Sequence, residues 1–136
     1  MIKGGGGALF KEKIVMYCSK KRIILAGSEK FVYKFDFPLP VEVHPFARSS
    51  VLKSLKEYGI PNIRIGNKDF PFMTENGNII YDISGYRYKD FDDIKAIERD
   101  IKNIPGVIEV GLFPKLTDTI FYKIDKEKGS FEKILI

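Results

Sequence analysis

Between Val41 and Leu112 the hydrophobic spacing switches back and forth between strand-like and helix-like, in the order β-α-β-β-α-β. Val41–His44 alternates apolar and polar positions, as a half-buried strand does. Phe46–Tyr58 places Ala47, Val51, Leu52 and Leu55 at helical intervals, with Gly59 as its C-terminal cap. Asn62–Ile65 reads as a strand, Asn76-Gly77 as a tight turn, and Asn78–Ile83 as the strand leaving that turn. Asp90–Asn103 reads as a second helix. Asp90 suits its N-cap, Asp92 and Asp93 its first turn, and Phe91, Ile94, Ile97 and Ile101 its buried stripe. Pro105-Gly106 ends it, and Val107–Phe113 is an apolar strand. This order is the split βαβ plan of ferredoxin-like domains.

The flanks follow a different pattern. Gly4 to Gly7 lead into Ala8–Lys20, an amphipathic helix whose apolar stripe reads as Phe10, Ile14, Tyr17 and Cys18. Arg22–Ala26 reads as a short buried strand, followed by a loop holding Gly27, Ser28, Glu29 and Lys30. Phe37-Pro38-Leu39-Pro40 is a stiff extended connector and the best candidate domain boundary. Thr119–Ile124 and Phe131–Ile136 read as two further strands. A glycine-rich loop that opens a helix normally follows a strand, which aims it at a ligand. Only Met1-Ile2-Lys3 precede it here, so the sequence predicts a start in the middle of a domain. A cloned linker is the rival reading, weakened by Lys3 directly before the glycines and a well-formed helix directly after.

Composition limits the function classes. With 44% apolar and 13% aromatic residues the chain can build a core. A net charge of +5 favours an anionic partner, although by itself it is better explained by a solvated lysine-rich surface. The basic residues are scattered among acidic ones, which speaks against nucleic acid and against an acidic membrane. One cysteine and one histidine exclude an internal disulfide and any multi-cysteine or multi-histidine metal centre. No segment has the roughly 20 apolar residues that cross a bilayer, and the start lacks a signal core. The expected location is cytoplasmic.

Several residues could carry chemistry. Glycines allow close backbone approach to a ligand, free N–H groups at a helix start attract anions, and Lys3 adds a mobile cation. A flexible loop without a ligand fits the same residues. Glu12 has Ala8, Leu9, Val15 and Met16 as helical neighbours. A carboxylate on such a surface is poorly solvated, which suits a general base. Spacing alone also allows an exposed Glu12 paired with Lys11 or Lys13. Lys30 follows a strand, at the end where open α/β sheets place their ligands, yet an ordinary loop lysine fits as well. His44 reads as structural and Cys18 as a core residue. Asp82, Asp90, Asp92 and Asp93 lack the spacing of a calcium loop.

Taken in order, these segments resemble one family. Lys3-Gly4-Gly5-Gly6-Gly7-Ala8-Leu9, with Lys11-Glu12-Lys13-Ile14-Val15, is similar to the KGGG…A…REKI segment of type A ribose-5-phosphate isomerases. Phe37-Pro38-Leu39-Pro40-Val41-Glu42-Val43, with Pro45-Phe46-Ala47, resembles their FPLPVEV…PFA signature. Thr74-Glu75-Asn76-Gly77-Asn78 resembles their TDNGN turn, with glutamate in place of the usual aspartate. Ile104-Pro105-Gly106-Val107-Ile108-Glu109-Val110-Gly111-Leu112-Phe113 resembles IPGVVEVGLF almost letter for letter. The likeness continues in register to about Asp118.

The resemblance implies a sugar-phosphate substrate, ribose 5-phosphate, isomerised to ribulose 5-phosphate without metal or organic cofactor. Glu12 matches the family's proton acceptor, Lys3 and Gly4, Gly5 and Gly6 its substrate-binding loop, and Lys30 a further substrate-binding lysine. It also implies an α/β plus α+β architecture. Residues 1–38, with strands in 113–136 returning to them, would be the remnant of a Rossmann-like sheet, and 39–112 the ferredoxin-like domain. The family's TGST-type phosphate loop and DGAD aspartate pair have no counterpart in the sequence. The expectation is therefore a truncated chain, inactive alone because catalytic groups act as a unit. It would carry an exposed apolar edge at Arg22–Ala26 that drives association into a homo-oligomer or with a separate N-terminal piece. A non-catalytic binding module for RNA or a small anion is the competing reading, since this plan serves such domains too. Against RNA stands the lack of a glycine–aromatic strand motif. Tyr86, Tyr88 and Phe91 fall at a loop and helix start, where packing explains them.

Overall fold

The computed structural model describes residues 1–85, 94–114 and 118–134. These form a mixed α/β protein with three α-helices and two sheets. In chain order the elements are α1 (Leu9–Cys18), β1 (Arg22–Gly27), β2 (Leu39–Val43), α2 (Arg48–Leu55), β3 (Ile60–Ile63), β4 (Ile79–Ser84), α3 (Ile94–Lys102), β5 (Val107–Val110), β6 (Thr119–Asp125) and β7 (Ser130–Ile134). Two compact units divide them. The first is Met1–Ile14 with Phe37–Pro114, and the second is Val15–Asp36 with the described residues of Lys115–Ile136.

The first unit is built on an antiparallel sheet of order β3-β4-β2-β5. Successive side chains of a strand alternate between faces, so register decides what meets. Val41 lies opposite Tyr81 on one side and Val110 on the other, which puts Leu39, Val41, Val43, Ile79, Tyr81, Ile83 and Val110 on one face. All seven are buried. Tyr81 donates its hydroxyl to Arg48 O at 3.1 Å, tying this face to the start of α2, and Val51, Leu55, Ile97 and Ile101 complete the core. The opposite face presents Glu42, Ile80, Asp82 and Glu109, and the glycine loop and the start of α1 lie over it.

Several sequence boundaries shift for physical reasons. Leu39 and Pro40 belong to β2 and are buried, not part of a connector. Proline in a central strand would cost a ladder bond if its missing N–H faced a partner. Pro40 O accepts from Gly111 N at 2.7 Å, so the N-less side faces the chain beyond the end of β5 and no bond to β4 is lost. The expected helix from Phe46 starts later, because Pro45–Ala47 forms a 3-10 turn on which His44 Nδ1 accepts from Phe46 N. That gives His44 a capping role. The third strand begins at Ile60, two residues earlier than the alternation suggested. In α3, Ile94, Ile97 and Ile101 are buried as the stripe requires. Asp90, Asp92, Asp93, Phe91, Tyr86 and Tyr88 lie outside the described residues.

Helix α1 corrects the sequence reading most. Its buried positions are Leu9, Lys13 and Met16, while Ile14, Tyr17 and Cys18 are exposed. Cys18 is therefore not a core residue. The helix turns its Lys13 face inward because acidic partners wait there. Lys13 Nζ lies 2.7 Å from Glu109 Oε1, 2.8 Å from Glu98 Oε1 and 2.7 Å from Val110 O. It also lies 4.9 Å from the centre of the Phe113 ring. A buried ammonium is tolerable only with such company.

In the second unit β1 pairs in parallel with β6, and β6 pairs antiparallel with β7. The strand expected to be buried is not. Ile23 is 60% and Leu25 64% exposed, since no described element covers that face. None of the three strands contains a fully buried residue.

Candidate active site

The glycine loop has a strand-like approach after all. Ile2 bridges Leu112, Lys3 N donates to Gly111 O at 2.9 Å, and Phe113 N donates to Met1 O at 2.9 Å. Gly111 permits this, because a Cβ there would sit 2.4 Å from Lys3 O. The chain then turns. Gly4 and Gly7 take left-handed backbone angles, φ +99° and +85°, and Gly7 N donates to Gly4 O at 3.0 Å. At Gly7 the need is double, since a Cβ would also meet the Phe72 ring at 2.5 Å.

This turn brings Lys3 back beside the first turn of α1. Lys3 Nζ lies 3.0 Å from Glu12 Oε1, with the side chains 29% and 35% exposed. Glu12 Oε2 is shielded from solvent and has no hydrogen-bond partner among the described residues. The carboxylate thus has one oxygen held by a cation and another left over, facing no protein donor. Glu12 pairs with neither Lys11 nor Lys13, the partners spacing allowed. Lys11 meets Glu75, and Lys13 meets Glu109 and Glu98. The Lys11 ammonium holds the Glu75 carboxyl below its ordinary range.

The first unit therefore gathers Lys3, Gly4, Gly5, Gly6 and Glu12 in one place. Lys30 stands in the second unit, exposed, at the end of a 3-10 turn (Ser28–Lys30) after β1. Among the described residues no group of His, Cys, Asp and Glu is arranged to hold a metal ion. No described helix is long and apolar enough to cross a membrane.

Sequence reasoning missed the residues beneath the loop. Arg64 donates from Nε and Nη2 to the two oxygens of Asp82, at 2.7 and 2.6 Å, and from Nη1 to Gly4 O and Gly5 O, both at 3.0 Å. Asp82 is thus a mid-strand ion-pair partner. Glu42, fully buried, accepts at Oε1 from Thr74 Oγ1, Asn76 Nδ2 and Asn78 Nδ2 within 2.9–3.1 Å. That hub holds the 74–78 turn, in which Gly77 takes φ +74°. The only sequence signal for it is that Glu42 and the Thr74–Asn78 run fall in segments that resemble the family's motifs.

The family model for ribose 5-phosphate isomerase A (phosphoriboisomerase A) matches residues 1–127. The ribose-5-phosphate isomerase A of Methanococcus aeolicus is 42% identical over 130 residues, 93% of this chain and 54% of the relative. That of Thermoplasma acidophilum is 43% identical over 131 residues, 93% of this chain and 52% of the relative. The structure of ribose 5-phosphate isomerase A from Methanocaldococcus jannaschii superposes with a TM-score of 0.85 at 39% identity, over 98% of this chain and 58% of that one. A D-ribose-5-phosphate isomerase in complex with phospho-erythronic acid gives a TM-score of 0.87 at 35% identity, again over 98% and 58%. The chain spans about half the length of the curated relatives it matches.

Proposed function

Because the chain belongs to the ribose 5-phosphate isomerase A family, we propose that it supplies the base and substrate loop of an aldose–ketose isomerase acting on ribose 5-phosphate. The observation that carries this reading is the Glu12–Lys3 pair at the glycine loop, with one Glu12 oxygen shielded and unpartnered. Aldose–ketose isomerisation moves a proton between C1 and C2 through an enediolate. Glu12 takes the proton from C2 of the open-chain aldose and returns it to C1. The developing negative oxygen sits beside the Lys3 ammonium at the glycine loop, a preorganised electrostatic site. Lys30, in the second unit, is carried as a substrate-binding lysine by the family resemblance alone. Binding energy from the remote phosphate orients the sugar for the transfer. No step in this scheme calls on a metal or an organic cofactor.

Residues 39–112 form the ferredoxin-like part of this enzyme, supported by the element order and the sheet order β3-β4-β2-β5. The Rossmann-like part, expected over 1–38 with the strands of 113–136, has the parallel β1–β6 pair as its support, while Met1–Ile14 group with the first unit. The apolar sheet face in the second unit supports homo-oligomerisation. A depression of about 410 Å³ there is lined by Ile23, Leu25, Tyr122, Ile124 and Phe131 among others. A monodisperse monomer in solution scattering would count against it. The expected location is the cytoplasm, where sugar phosphates are handled.

The chain lacks the TGST and DGAD motifs, so alone it forms no useful ribulose 5-phosphate. The test adds the segment of the Methanococcus aeolicus relative that this chain does not span. Activity appears with the wild-type chain and falls about 10²–10⁴-fold with Glu12→Gln, the usual range for a lost general base. Equal turnover in that variant removes Glu12 from its role.

A further inference from the structure

We infer that Arg64, locked by Asp82, is the positioning residue that holds the glycine loop in its ligand-ready shape. The two carbonyls that Arg64 grips, Gly4 O and Gly5 O, belong to successive peptide units. In a trans peptide the C=O and the following N–H point in opposite directions. Gripping both oxygens from the sheet side therefore turns the N–H groups of Gly5 and Gly6 away from the guanidinium. Gly5 and Gly6 are exposed, so those two donors face outward together, beside Lys3. Successive N–H groups presented this way make an anion-binding concavity.

The guanidinium itself has little freedom. Both oxygens of Asp82 hold its other edge, and its carbon lies 5.8 Å from the centre of the Phe72 ring, the same ring that passes under Gly7. Arg64 is only 14% exposed at its side chain. Its fork uses Nε and Nη2 for the carboxylate and Nη1 for the two carbonyls, an arrangement that needs arginine. Lysine offers a point charge with no fixed fork. Without the clamp, glycine residues would be the most mobile in the chain. Asp82 keeps the guanidinium neutralised locally, so the loop is shaped by hydrogen bonds while the free positive charge remains with Lys3. As a device serving the substrate, the clamp rests on the isomerase reading. As a device shaping the loop, it does not.

The experiment measures backbone amide order parameters in the 136-residue chain and its R64K and D82N variants. In the wild type, Gly5, Gly6 and Gly7 should show the rigid value of about 0.85, and in R64K they should fall below about 0.6. Val41, Ile80 and Val110 should keep their values, which separates loop release from unfolding. D82N keeps the arginine but frees its fork, and the same three glycines should loosen there too. A mobile loop in the wild type, or one equally rigid in both variants, overturns the clamp. A second arm titrates phospho-erythronic acid into the chain complemented with the segment of the Methanococcus aeolicus relative that it does not span, while following the Gly5 and Gly6 amide signals. Affinity should weaken about tenfold or more in R64K. Equal affinity overturns the claim that the clamp serves the site. No binding to the wild type would count against the isomerase reading, and the order parameters still judge the clamp.

Discussion

The two sheets of this molecule are made from similar residues and reach opposite ends of burial. In the four-stranded sheet every residue of β2 is buried, and even its glutamate has three donors around one oxygen. In the three-stranded sheet Ile23, Leu25 and Phe131 stand exposed. The difference lies in what covers each face. Helix α2 and the buried side chains of α3 close one side of the first sheet, and the glycine loop with α1 closes the other. Nothing among the described residues closes the outer face of β1. Apolar burial contributes roughly 25 cal/mol per Å², so the first unit holds most of the stability and the second has surface still to bury. The site of Glu12 and Lys3 belongs to the first unit, on the better-packed sheet.

Substitutions can break this contrast. The largest effect is expected at Lys13→Met, which removes the buried cation of Glu109 and leaves that carboxylate only the half-exposed Lys102, 3.2 Å from Oε2. Breaking one partner of such a buried pair costs about 3–5 kcal/mol, read as a lower urea midpoint. Next come two leucines of the same size in the two units. Leu55→Ala in the closed core should cost about 2–5 kcal/mol. Leu25→Ala on the open face should change stability by no more than about 0.5 kcal/mol. Equal losses at the two positions would mean that the outer face is already covered in solution. The smallest effect concerns the Lys11–Glu75 pair, on a fully exposed carboxylate. Its folded-state pKa is lowered by Lys11 from the ordinary 4.5. The pair therefore stabilises above that value, and the contribution disappears as pH falls through the lowered one. Lys11→Met should return the Glu75 titration, followed by NMR, to the ordinary range. An unmoved midpoint would show that Lys11 is not its cause.

Much of the first unit was legible. Val41 and Val43, Ile97 and Ile101, and the Asn76-Gly77 turn each carry a local signal that burial rewards directly. What stayed hidden were charges whose partners are distant in sequence. Lys13 reads as an outward lysine until Glu109 and Glu98, from β5 and α3, are brought to it. Glu42 alternates with valines like a solvent-facing residue, yet Thr74, Asn76 and Asn78 arrive over it. Arg64 follows directly on β3 and Asp82 lies on the neighbouring β4, and only the register joins them. The Glu12–Lys3 pair was half legible. Both residues were chosen as candidates, but four glycines lie within the stretch between them, and a run so permissive does not disclose its path. The stripe on α1 failed for the same reason as Lys13, since the helix turned toward charge rather than toward its largest apolar side chains.

The proton transfer proposed for Glu12 can be tested directly. With the chain complemented as above, ribose 5-phosphate is converted in deuterated water and the sugar is analysed for deuterium at C1 and C2. The wild-type protein should place solvent deuterium at these carbons during turnover, and Glu12→Gln should abolish that labelling while the glycine loop keeps its order. Labelling by the glutamine variant at the wild-type rate would contradict the assignment of the proton to this carboxylate.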